Sequence, residues 1–169
     1  MRAWTRGQWA LRAVVVLGAL TALLASGPAG APPPQPLVLV VTGLALAHAR
    51  SPESAAGVVS LGLVVCWWAA AVDVLHPAVL LAAAGLLAAH VAALVAAYGP
   101  DQLGVDPLVL RRWLLRAGLV LLPAPGLYGA AVVLHDRPEV PGAWLIGLGA
   151  AVAATVLATW VVAAEEESP

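Results

Sequence analysis

Residues 55–98 read AAGVVSLGLVVCWWAAAVDVLHPAVLLAAAGLLAAHVAALVAAY, 44 residues with a single formal charge at Asp73. A membrane-spanning helix needs ~20 predominantly apolar residues, so the stretch is too long for one span and suits two. His76-Pro77 divides it. Proline cannot donate an interior helical hydrogen bond but suits a first turn, where that N–H is unsatisfied anyway. The reading is a tight helical hairpin, 55–75 and 77–98.

Working outward, four more apolar runs appear, at about 9–27, 36–50, 113–134 and 143–164. Gln35-Pro36, Ser51-Pro52, Asp106-Pro107 and Val140-Pro141 each precede a run, and Ser51 and Asp106 are good N-cap residues. The predicted fold is an all-α polytopic bundle of six transmembrane helices, forming one integral membrane domain over 1–169. Run 36–50 is short at roughly 22 Å against a ~30 Å hydrocarbon core. Charge placement argues for keeping it. With six spans and a cytoplasmic N-terminus, seven of the eight arginines lie inside and only Arg137 outside, in accord with the positive-inside rule. Both termini are then cytoplasmic.

Composition agrees. Of 169 residues, 62% are hydrophobic and 10% charged, with a mean hydropathy of +0.95, whereas soluble domains carry about 25% charged residues. That excludes a cytosolic enzyme domain and a disordered chain. A net charge of −1 with scattered basic residues excludes a nucleic-acid partner. The one cysteine, Cys66, forms no internal disulfide. All basic residues are arginine, and Lys, Asn and Phe are absent. The missing residues have AT-rich codons, which points to a GC-rich bacterial genome and a place in the inner (plasma) membrane. Arg2, Arg6 and Arg12 followed by Ser26–Ala31 resemble a signal peptide. Pro32-Pro33-Pro34 directly after the cleavage point favours a retained anchor.

Trp4, Trp9 and Trp113 fall at the expected inner interface, and Trp144 and Trp160 bracket the last span. Trp67 and Trp68 fall inside the third span and fit neither belt. Small-residue ridges run along the fourth span through Gly85, Ala89, Ala93 and Ala97, and through Ala84, Ala88, Ala92 and Ala96. The last span pairs Gly147 with Ala151 and Gly149 with Ala153. Such ridges let helix backbones approach closely in lipid. Arg111, Arg112 and Arg116 are expected to meet lipid phosphates, with Arg116 snorkelling past Trp113.

Chemistry-bearing residues are few. There is no HExxH, Cys-x-x-Cys or P-loop. His90 lies inside the fourth span, where an ionisable side chain is a proton-relay or ligand candidate. Asp73 and His76, with His135 and Asp136 in the next outer loop, are ordinary zinc-ligand types. Asp73 and His76 share a helix side if the third span persists that far. The competing reading of this outer face is a solvated loop in which Asp73 pairs with Arg137. Pro123, Pro125 and Gly126 predict a kink in the fifth span, which can form a transport site or be purely structural. His48 beside Arg50 is read as an interfacial residue without a special role. Glu165, Glu166 and Glu167 are read as a solvated tail.

The short loops, such as Ala49-Arg50-Ser51-Pro52-Glu53, together with the composition, resemble small multi-pass membrane proteins of GC-rich actinobacteria. The likeness brings neither an activity nor site residues. The sequence therefore leads to a non-enzymatic accessory or scaffold subunit of an envelope membrane complex. No cofactor is expected, and the partners are the lipid bilayer and protein subunits or further copies of the chain. Behind it stand a small transporter or channel using the kinked span and His90, and then a membrane enzyme with an outer-face metal.

Overall fold

The computed structural model describes residues 5–97 and 107–135, with Gly149, Val152, Ala153 and Val156 beyond them. All regular structure among the described residues is helical: α1 (Arg6–Leu24), α2 (Gln35–Arg50), α3 (Ala56–Ala71), α4 (Ala78–Ala97), α5 (Pro107–Leu121) and α6 (Pro123–Leu134). The chain forms two units, Met1–Val132 and Val133–Pro169; the first holds α1 to α5 and most of α6. The run 143–164 lies almost wholly outside the described residues, as do Trp4, Asp106, Asp136, Arg137, Glu139, Val140-Pro141, Trp144, Gly147, Ala151, Trp160 and the glutamate tail.

Three runs are long and apolar enough to cross a membrane: Arg6–Leu24, Ala78–Ala97 and Pro107–Leu134. The described residues do not support the expected count of six spans. α2 and α3 have 16 residues each, about 24 Å at 1.5 Å per residue, short of a ~30 Å core. α3 falls short of 55–75 at both ends. Ser51 closes α2 as its C-cap instead of opening α3, its N–H bonding Ala47 O, and the Ser54 N–H bonds back to Ser51 O in a turn. At the far end Val72 turns extended, with φ −110° and ψ 103°. β-Branched Val72 and Val74 flank Asp73 there, and Pro77 disfavours helical backbone at His76.

α1 is the hub, packed along α4 and against α2 and α3. Its buried residues, Gln8, Arg12, Val15, Gly18, Ala19, Ala22 and Leu23, recur at three- and four-residue spacing and form one stripe. The tightest crossing is with α4. A Cβ placed on Gly18 would lie 2.6 Å from Gly85 O, and one on Gly85 would lie 2.7 Å from Gly18 O. Ala22 and Ala89 flank the crossing on either helix. Helices in lipid associate through close van der Waals packing of small residues, and the core here is mostly alanine, with Leu23 its largest fully buried apolar side chain. Of the predicted α4 ridges, Gly85, Ala89, Ala92, Ala93 and Ala96 are buried, while Ala88 and Ala97 are exposed.

At one end of the bundle α1 finishes in a hydrogen-bonded knot. Its last turn tightens, the Ser26 N–H bonding Leu23 O at 3.2 Å, so Ala22 O receives no amide from Ser26. The indole N–H of Trp68 donates to that carbonyl at 2.8 Å. The Trp67 indole donates to Ser26 Oγ at 3.0 Å, and that hydroxyl sits 2.7 Å from Ala31 O. Trp67 and Trp68 are thus ties between α3 and the α1–α2 turn, which is why neither matches an interfacial belt. Gly30, at φ +88°, supplies the left-handed residue that reverses the chain.

α5 packs on α4, and neither α5 nor α6 contributes a buried residue. The 28-residue run Pro107–Leu134 breaks at Leu122, whose N–H still bonds Gly118 O at 2.9 Å. Pro123 and Pro125 then leave Leu119 O and Leu121 O without helical donors, and the helix restarts at Pro123.

Candidate functional site

The α1 stripe continues beyond Val15 into two polar residues, Arg12 and Gln8, at 5% and 1% exposure. A guanidinium so deep needs a partner, since an unpaired buried charge is very costly. Arg12 Nη1 donates to Ala49 O, a carbonyl in the last turn of α2. Such carbonyls lack intrahelical donors and carry the negative end of the helix dipole. Arg12 thereby joins the start of α1 to the end of α2.

His48, one position earlier, is 8% exposed. Its ring lies over Gly57 of α3, where a Cβ would come within 2.5 Å of Nδ1 and 2.6 Å of Nε2. A methyl group at this position would require the His48 ring to shift. Buried polar atoms are nearly always paired, yet His48 Nδ1 and Gln8 Oε1 find no hydrogen-bond partner among the described residues. His90 on α4 is exposed and within electrostatic reach of His48. One end of the bundle therefore gathers Gln8, Arg12, His48, Arg50 and His90. The sequence carried a signal for the first three: Gln8 and Arg12 continue the spacing of Val15, Ala19 and Ala22, and His48 follows Val41 and Ala45.

Between α1 and α2 a groove of about 800 Å³ opens beside this polar end, its walls including Trp9, Val16, Leu17, Gly43 and Leu46, with Arg12 and Arg50 at one end. A groove of this size lies in the usual range for ligand clefts, about 300–1,000 Å³.

The outer-face metal candidates fall elsewhere. α3 ends at Ala71, so Asp73 and His76 lie on the non-helical connection and not on a shared helix side. His76 Nδ1 accepts the Ala78 N–H at 3.2 Å, capping the start of α4. His135 is an exposed turn residue in the second unit; Asp136 is outside the described residues. Among the described residues no three His, Cys, Asp or Glu side chains gather as a metal would need. Pro123, Pro125 and Gly126 are exposed, and a Cβ on Gly126 would meet nothing within 4 Å.

No protein-family model matches the chain, and no curated protein or solved structure is significantly similar to it.

Proposed function

We propose that the protein is a non-enzymatic integral membrane subunit, an accessory or scaffold component of a bacterial plasma-membrane complex. In this reading its arginine-bearing end and both termini are cytoplasmic, and α2 and α3 cross as short helices with local bilayer thinning. The observation that carries it is the run Pro107–Leu134, apolar and of spanning length, none of whose residues is buried. Leu108, Leu119, Leu122 and Leu127 each stand more than 60% exposed, and Gly118, Gly126 and Gly129 face open space. Beyond the side of α5 that packs on α4, such a run offers its surface to lipid and to other subunits, with small residues where backbones can approach.

The transporter reading gains less support, because a broken helix makes a site where it lines a cavity, and Pro123, Pro125 and Gly126 face outward. Native mass spectrometry from mild detergent separates the two. A subunit appears at a mass above the 17.1 kDa monomer, unchanged by His90→Ala. A transporter shows pH-dependent flux in liposomes that the same substitution abolishes, and that result would replace the proposal.

A further inference from the structure

The groove between α1 and α2 is graded from one end to the other. Arg12, buried, and Arg50, exposed, line one end of it, and no carboxylate is among its described lining residues. From Arg50 inward to Gly43 the α2 wall rises about 10 Å through Leu46 and Ala47, faced by Val16 and Leu17 of α1. Trp9, at the arginine end, is 58% exposed, as suits an indole at headgroup level.

We propose that this groove is a binding site for an anionic phospholipid, the phosphate held by Arg50 and Arg12 and one acyl chain laid along the α1–α2 wall. Guanidinium forks match phosphate oxygens in charge and geometry. Arg12 is held in place by Ala49 O, so its charge is positioned before any lipid arrives. Arg50 is exposed at the end of α2 and closes on the headgroup from outside. A free phosphate would satisfy the arginines but leave the apolar wall bare, which is why the occupant is a lipid. The site rests on the membrane placement of α1, and it lies apart from the α5–α6 surface.

Native mass spectrometry of the full chain in detergent, titrated with phosphatidylglycerol or phosphatidylcholine, tests it. The wild type should retain phosphatidylglycerol at least about tenfold better, because the choline ammonium of phosphatidylcholine sets a like charge beside Arg50 and Arg12. Arg50→Gln should abolish that preference. Gly43→Leu places its side chain in the groove, where an added Cβ meets nothing within 4 Å, and should lower retention of both lipids without lowering the unfolding temperature. Equal retention of the two lipids by the wild type, unchanged retention in Gly43→Leu, or displacement of phosphatidylglycerol by inorganic phosphate would each overturn the site. Alkaline carbonate extraction, run separately, reports on membrane placement: release of the chain into the supernatant would remove that premise, whatever the lipid titration gave.

Discussion

The indole N–H of Trp68 takes over a backbone bond that α1 gives up when its last turn tightens at Ser26. Replacing Trp68 by Phe keeps an aromatic ring but removes the donor together with part of the indole's bulk, leaving Ala22 O unsatisfied. The expected cost is about 1–3 kcal/mol, read as a lower midpoint in reversible unfolding by SDS in mixed micelles. Trp68 also marks the limit of what single residues disclose. Hydropathy places two indoles inside an apolar run, but nothing in the string tells which carbonyl of another helix has lost its donor. The same holds at the opposite end, where the burial of Arg12 depends on the end of α2 arriving beside it. Arginine count and position spoke only for a cytoplasmic side. Asp73 and His76 depended on one condition, that α3 continue past Ala71, and the extended Val72 removes it.

Helix existence was the most legible level, because apolar runs and prolines mark it directly. Pro36 falls in the first turn of α2, α4 starts directly after Pro77, and α5 starts at Pro107. Helix ends were less legible: Ser51 has the chemistry of an N-cap, yet it serves the helix before it. The Gly85, Ala89 and Ala93 ridge could be read from α4 alone, but its counterpart on α1 could not, since pairing is a property of two elements. That crossing sets a prediction for the pair. Gly18→Ala drives a methyl group toward the Gly85 backbone and should destabilise by about 1–3 kcal/mol, as overpacking does. Gly62→Ala, with nothing within 4 Å of the added Cβ, should be neutral or slightly stabilising through helix propensity. Unfolding in the same mixed micelles compares the two.

For the whole molecule, 62% apolar and 10% charged residues already argued for a bilayer, and three helical runs have the length and composition to cross one. The first and fourth helices cement each other through glycine and alanine. The run Pro107–Leu134 instead turns its apolar surface outward, and the proposed role as a subunit depends on what meets it. A photo-reactive amino acid at Leu119 or Leu127, compared with one at Leu39 on the exposed side of α2, tests this in intact membranes. A subunit should give protein adducts at Leu119 and Leu127 and only lipid adducts at Leu39. Lipid adducts alone at all three positions would contradict that role.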